Sequence, residues 1–444
     1  MTNEKVGIIG AGASGLTTVK TLKGYNVPFD CFEMGSQLGG NWRYNNDNGR
    51  SAAYDSLTID TSKDRMQYSD FPMPEDYPIF PNHKQIIQYF DAYADHFGIR
   101  DLITYRTQVM HVGPAESGGY DVTIRHLDSG EEETRHYTAV LVANGHHWNP
   151  KLPNFPGQFN GETTHSRNYR NPNGLENMNV LVVGIGNSGV DIACETSKVA
   201  QQVYLSTRTG AHILPRFVLG RPIDKWVTPF SSRLPAGLQA KMLEAMIKWD
   251  RGDQTKFGIP KPKFDIKSAH GTVSAELPQL VQNGRICLKP NIQELRGDEV
   301  VFEDGSIEKI DAIVYATGYT ITFPFFDKAF IQVEDNVIPL YRKVVDPERP
   351  DLYFIGLIQP LGPIMPLAEL QAKWVAQLLI GLAQLPDKAK MQAAIAQDQT
   401  ALQKRYINST RHTIQVDLFP YIRELELEIK NGRKRTKGKS KLQP

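Results

Sequence analysis

A chain that opens with a strand, a glycine turn and a helix has few folds available to it. Val6-Gly7-Ile8-Ile9 is an apolar run of one strand's length, and Gly10-Ala11-Gly12-Ala13-Ser14-Gly15 follows directly. Leu16, Val19 and Leu22 then recur with the period of a helix. Strand, Gly-x-Gly-x-x-Gly and helix together form a dinucleotide-binding fingerprint. Gly10 allows the tight turn, Gly12 lets the backbone approach a pyrophosphate, and Gly15 lets helix and strand pack closely. Ala13 and Ser14 lie where the helix N-terminus offers N–H groups and partial positive charge to phosphate. A second apolar strand, Phe29 to Phe32, ends at Glu33, an acid placed to accept hydrogen bonds from a ribose diol.

The unit recurs. Val180 to Val183 is a strand, Gly184-Ile185-Gly186-Asn187-Ser188-Gly189 the turn, and Val190 to Thr196 the start of a helix. The strand that follows, Val203 to Ser206, ends in Thr207-Arg208-Thr209 rather than in an acid. Hydroxyls and an arginine at that position suit a 2′-phosphate, hence NADPH rather than NADH. Gly39-Gly40-Asn41-Trp42 follows the first unit, as in flavoproteins that bind two dinucleotides, so the first nucleotide is expected to be FAD. The expected fold is α/β, with two Rossmann-like dinucleotide-binding domains of the glutathione-reductase-like kind and the NADPH domain inserted in the FAD domain. The expected boundaries are 1–170 for the first part of the FAD domain, 171–288 for the NADPH domain, 289–430 for the second FAD part, and 431–444 for a basic disordered tail.

At 444 residues, 40% apolar and 22% charged, the chain can bury two or three ordinary soluble cores. Its net charge of +1 gives no reason to expect nucleic acid as a partner. Lys430, Arg433, Lys434, Arg435, Lys437, Lys439 and Lys441 make the end of the chain basic, and a solvated tail is the expected form. The three cysteines, Cys31, Cys194 and Cys287, have neither metal-ligand nor Cys-x-x-Cys spacing and read as small buried residues of a reducing compartment. His146-His147 lacks a third ligand and reads as turn, so no metal is expected. Met1 to Lys5 leads straight into a strand and no apolar run reaches membrane-spanning length, so a cytoplasmic location without membrane contact is expected. Helices are expected at Lys84–Phe97, Leu238–Trp249, Glu369–Leu382 and Asp387–Tyr406, and a loop over Tyr54–Pro81. Arg216–Phe264 is rich in Pro, Trp and basic residues and receives no role.

Phe159-Asn160-Gly161-Glu162-Thr163-Thr164-His165-Ser166-Arg167-Asn168-Tyr169 lies between the fingerprints and fits a Phe-x-Gly-x-x-x-His-x-x-x-Phe/Tyr signature. With Ala316-Thr317-Gly318-Tyr319, it makes the chain resemble the flavin-containing monooxygenases, class B flavoprotein monooxygenases of bacterial soluble type, from Val6 to about Pro386. The resemblance implies that FAD is also contacted by Gln37, Gly40, Asn41, Trp42, Thr61 and Val109. It implies NADPH contacts at Gly184, Gly186, Asn187, Ser188, Gly189, Ser206, Thr207 and Arg208, with Ala316, Thr317 and Gly318 completing the cofactor site. His165 is expected to be structural.

The implied reaction is NADPH- and O2-dependent oxygenation of a soft nucleophile, an amine nitrogen or sulfide sulfur, through a C4a-hydroperoxyflavin. Trimethylamine and indole are candidate substrates, and a homodimer is the expected assembly. The family's asparagine at the flavin–nicotinamide contact is represented here by Asp60, the expected catalytic position, with Lys63 or Arg65 as its counter-charge. Baeyer–Villiger oxygenation of ketones is the alternative activity. That class usually carries Trp-Pro where Tyr169-Arg170 stands here. A dithiol reductase and a redox sensor without turnover are the remaining readings.

Overall fold

The computed structural model describes residues 5–262, 264–268, 271–405 and 413–440. Two units are built from interleaved segments of the chain: the first from Met1–Ser51, Lys63–His146 and Ile321–Pro444, the second from Ala52–Ser62 and His147–Thr320.

In the first unit Val6–Ile9 is the central strand, with Phe29–Phe32 and Ala139–Val142 parallel on either side. Ile103–Thr104 extends the sheet beyond Phe29–Phe32, and Arg349–Phe354 extends it beyond Ala139–Val142. Val6–Ile9 and Ala139–Val142 are buried along their whole length, as the continuous apolar runs require of strands covered on both faces. An antiparallel sheet of Thr107–Pro114, Tyr120–His126 and Glu132–Tyr137 supplies one cover. Its Val109, Val112, Val122 and Ile124 share a core with Phe32, Val140 and Val142. The helices Ala13–Gly24 and Met365–Leu379 pack against each other.

The second unit repeats the plan. Its sheet runs Ile286–Lys289, Gln202–Ser206, Asn179–Val183, Ala312–Tyr315, Glu162–His165, all parallel. The division therefore departs from the expected boundaries at 170 and 288. Glu162–His165 pairs with Ala312–Tyr315, and Gly157–Phe159 pairs with Ile292–Gly297, so segments on both sides of the second fingerprint are strands of this unit. The stretch 52–62 joins it too, where Asp55 N–H donates to the Arg170 carbonyl at 2.8 Å. The two ends of the longer segment are fastened together: Thr320 N–H donates to Asn149 O at 2.9 Å, Lys151 N–H to Gly318 O at 3.0 Å, and Pro150 bridges Tyr319.

Helix positions follow the sequence periods with shifted ends. His83–His96 begins one residue before the expected start because Asn82 and Gln85 form a capping box. Met365–Leu379 starts earlier than expected, with Pro366 in its first turn, and gives way to a left-handed Gly381. Lys388–Arg405 matches the last expected helix, whose end at Tyr406 lies outside the described residues. Arg216–Phe264 contains the helix Ala236–Arg251, on which Leu238, Met242 and Trp249 stay exposed.

The largest correction concerns the chain's end. Residues 431–440 continue the helix Leu418–Ser440 rather than forming a disordered tail, and 441–444 lie outside the described residues. Arg433 Nε donates to Gln377 Oε1 and Arg435 Nε to Gln384 O, both at 2.8 Å. Among the described residues no helix is long and apolar enough to cross a membrane. Cys31 and Cys194 are buried as expected, whereas Cys287 is only half-buried.

Candidate cofactor and active site

The first glycine turn separates three reasons for being glycine. Gly10 has φ +100°, and a Cβ there would come within 2.8 Å of Ala143 O. A Cβ on Gly15 would stand 1.9 Å from Gly10 O, so the helix could not approach. Gly12 has an ordinary φ of −76°, and its nearest neighbour to an added Cβ would be Gly40 Cα, at 3.6 Å. Neither backbone conformation nor protein packing demands a glycine at Gly12, whereas a ligand lying across it would.

The surroundings agree with such a ligand. Gly12 caps the helix Ala13–Gly24 without a side-chain hydrogen bond, so the first-turn N–H groups at Ala13 and Ser14 have no side-chain acceptor. Gly39 N–H donates to Ala11 O at 2.9 Å and brings the Gly39-Gly40 pair against the turn. Asn41 and Trp42 follow in the short helix Gly40–Trp42, and Gln37 is exposed just before it. Glu33 is 4% exposed; it accepts from Ala11 N–H and Gly35 N–H at 2.8 Å and from Asn48 at 3.1 Å. Three donors leave one of a carboxylate's roughly four acceptor positions for a ribose hydroxyl. Val109 is buried beside the irregularity in register on Thr107–Pro114.

The second turn is built the same way. Gly184 has φ +117°, with Ala316 O 2.4 Å from a Cβ there, and a Cβ on Gly189 would stand 1.9 Å from Gly184 O. Ala316 O thus takes the place that Ala143 O holds in the first unit. Gly186 caps Asn187–Thr196, again with no side-chain hydrogen bond. Ser188 lies beside the Tyr54 hydroxyl. The Ser206 hydroxyl is buried and donates to Pro290 O at 2.7 Å, so its side chain is turned into the protein. Thr207 Oγ1 accepts from Gly210 N–H at 3.0 Å, and Arg208 is exposed. The Thr317 hydroxyl donates to Lys151 O, and Gly318 takes φ +85°. His165 Nδ1 accepts from Arg167 N–H at 3.1 Å, its ring packs edge-on to Tyr319, and burial lowers its pKa.

Asp60 and Thr61 belong to this second unit, Thr61 buried and Asp60 half-buried. Asn187 orients the aspartate: its Oδ1 accepts from Val273 N–H at 2.9 Å and its amide N–H donates to Asp60 Oδ2. Asp191, one helical turn beyond Asn187, accepts from the Tyr54 hydroxyl at 2.7 Å, and Arg216 donates to Thr58. Burial, reinforced by the Asp191 charge, pushes Asp60 up to about 7, against the opposing pull of Arg216 and Asn187. Burial likewise pushes Asp191 up to about 6. The counter-charges expected from sequence are otherwise engaged. Lys63 donates to the carbonyls of Pro74, Glu75 and Tyr77, and the Arg65 guanidinium lies 5.0 Å above the Phe419 ring. Asp191, Tyr54 and Arg216 went unnoticed in the sequence. The one available signal was the i, i+4 spacing that puts Asn187 and Asp191 on the same helix face.

A raised aspartate pKa has a definite thermodynamic sign. Between its unfolded value near 4 and about 7, the folded state binds the extra proton, so stability falls as pH rises through that window. Asp60→Asn is expected to flatten this part of the profile. Urea denaturation at pH 5 and pH 8 measures it: the substitution should stabilise more at pH 8, and an identical shift at both pH values would contradict the assignment.

Two glycine turns with uncapped helices define a protein that holds two dinucleotides. The chain belongs to the flavin-binding monooxygenase-like family, which it matches over residues 3–434. It is 41% identical to human flavin-containing monooxygenase 5 over 96% of this chain and 82% of the relative. It is 38% identical to rat dimethylaniline monooxygenase [N-oxide-forming] 2, with the same coverage. Among solved structures, S-allyl-L-cysteine S-oxygenase from Allium sativum superposes with a TM-score of 0.72 at 25% identity, over 99% of this chain and 93% of that one. The chain is thus a flavin-containing monooxygenase, an oxidoreductase using FAD and NADPH. The narrower bacterial soluble type is not part of that conclusion.

Proposed function

We propose that the enzyme oxygenates soft nucleophiles, tertiary amine nitrogen and sulfide sulfur, in an NADPH- and O2-dependent reaction. The observation that carries this reading is the matched pair of uncapped glycine turns, Gly10–Gly15 and Gly184–Gly189, on a chain of this family. The names of two relatives, one N-oxide-forming and one an S-oxygenase, support the substrate class. FAD would be held by the first turn with Glu33 and Gly40, NADPH by the second turn with Thr207 and Arg208. When bound, the pair supplies the hydride and the oxygen-activating centre.

The chain's own groups bind, orient and exclude water. Glu33 is braced by three donors so that it meets a ribose without reorganising. Asp60, oriented by Asn187, borders the reacting centre. At pH values below about 7 it is a neutral acid able to donate a hydrogen bond, and above that it only accepts. Two of the three cysteines are poor nucleophiles: burial pushes Cys194 up to about 12 and Cys31 higher still, which suppresses both thiolates.

Oxygen consumption by the purified enzyme with NADPH tests the reading, using trimethylamine, a thioether, indole and a ketone. Amine and thioether should stimulate turnover and yield N-oxide and sulfoxide. Stimulation by the ketone alone, with ester formed, would replace this reading by the Baeyer–Villiger one. Asp60→Asn keeps a donor at every pH, so the hydrogen peroxide released per NADPH should fall about five- to thirtyfold at pH 9, the equivalent of one hydrogen bond of about 1–2 kcal/mol. Unchanged peroxide yield across pH 6–9 would remove Asp60 from the reaction.

A further inference from the structure

In the first unit a cavity of about 160 Å³ is lined by Arg342, Lys343, Asp398, Arg405, Tyr421 and Glu424, among others. Three cations, Arg342, Lys343 and Arg405, and three carboxylates, Asp398, Asp417 and Glu424, line it, but they do not pair one to one. Arg405 pairs with Asp417, and Arg342 with Glu424 at 3.3 Å and Asp398 at 3.9 Å. Lys343 has no hydrogen bond or ion pair at its amine among the described residues, and burial holds that amine below the usual lysine range. Arg342 Nε is buried and has no acceptor either. A buried donor without an acceptor, as at Arg342 Nε, is rare in folded proteins, and beside the half-buried, unpaired Lys343 amine on the wall of the same cavity it indicates a missing acceptor.

The backbone here is strained as well. Arg342 and Lys343 take φ of +50° and +58°, a conformation that side-chain-bearing residues seldom adopt and that recurs at ligand clamps. The tertiary structure enforces it: the Tyr421 hydroxyl donates to Arg342 O at 2.7 Å. That hydroxyl in turn accepts from Gln371 Nε2 at 2.7 Å, and Gln371 Oε1 accepts from Gly356 N–H at 2.7 Å. Gln371 is fully buried and Tyr421 nearly so. Gly356 sits so close to the first glycine turn that a Cβ on it would stand 1.9 Å from Ser14 Oγ. A buried chain of hydrogen bonds therefore runs from the cavity wall to Gly356, which packs directly against Ser14 of the turn.

We propose that this cavity binds a small oxyanion, a carboxylate or phosphate group, through Lys343 and Arg342, and that Tyr421 and Gln371 transmit its occupancy to the first glycine turn. A desolvated ammonium and a guanidinium N–H without acceptors favour charged oxygen over a neutral ligand or water alone. The volume limits the ligand to a few heavy atoms beyond the anionic group.

The test uses the full chain saturated with FAD and NADP⁺, so that neither dinucleotide turn can take up the probe. Calorimetric titration with inorganic phosphate, and separately with malonate, should show saturable binding of at least one at a single site. Lys343→Met should weaken it about ten- to a hundredfold, whereas Lys343→Arg, which keeps the charge, should stay close to the parent. Equal flavin content in all three proteins shows that the fold is intact. Binding should also shift the flavin absorbance band, and Tyr421→Phe should retain binding while losing that shift. Absence of saturable binding, or equal binding by Lys343→Met, overturns the site. A spectral shift that survives in Tyr421→Phe overturns the relay.

Discussion

Gly12→Val is expected to fold and to purify colourless. Gly12 needs glycine neither for its backbone angles nor for packing, because an added Cβ meets nothing closer than Gly40 Cα at 3.6 Å. The valine methyl groups would instead fill the path of a pyrophosphate across the uncapped helix N-terminus. Gly15→Ala should behave in the opposite way. Its single methyl collides with Gly10 O, so the strand and helix must separate, and overpacking of this kind costs about 1–3 kcal/mol or more. Thermal unfolding of the apoproteins separates the cases: Gly12→Val should melt near the parent apoprotein and Gly15→Ala well below it. Flavin absorbance after purification completes the comparison. A yellow Gly12→Val protein with full occupancy would overturn the assignment of the first turn. The matching substitution in the second turn, Gly186→Val, should stay yellow but be reduced slowly by NADPH.

Arg208→Ala is expected to lose about ten- to a hundredfold in kcat/KM for NADPH and to change little with NADH. A charge-assisted contact with a 2′-phosphate contributes roughly 1.5–3 kcal/mol. The structure is compatible with that role: Arg208 is exposed at the end of Gln202–Ser206, and no hydrogen bond or ion pair engages its guanidinium among the described residues. Being unpaired, it can be removed without stranding a partner, so stability should hardly change. Steady-state kinetics with both nucleotides decides the matter, and equal losses with NADPH and NADH would rule out phosphate recognition.

Both glycine turns were legible in the sequence because strand, turn and helix are contiguous there, and each glycine's purpose depends on neighbours a few residues away. The Asp60 surroundings were not. Asn187 and Arg216 reach Asp60 only because residues 52–62 leave the first unit and join the second, and no local period announces such a crossing. The end of the chain shows a different failure. Its run of lysines and arginines suggested a solvated tail, yet Tyr421, Leu425, Glu428 and Gly432 recur at helical spacing and are buried. The helical stripe overrides the charge run, and it was there to be read. The left-handed pair Arg342 and Lys343 had no signal at all, since neither residue type favours that conformation.

The fastening of Asn149 and Lys151 to Thr320 and Gly318 bears on how the chain reaches its native state. For the first unit, the stretch from His147 to Thr320 is an enormous loop, and closing a flexible loop costs entropy that grows with its length. Once the second unit has folded, its ends are already joined, and that loop shrinks in effect to the few residues outside the clasp. Assembly should therefore be ordered, the inserted unit closing early and the strand Arg349–Phe354 docking beside Ala139–Val142 only afterwards. Hydrogen-exchange labelling during refolding would show this as protection appearing in Asn179–Val183 before Arg349–Phe354.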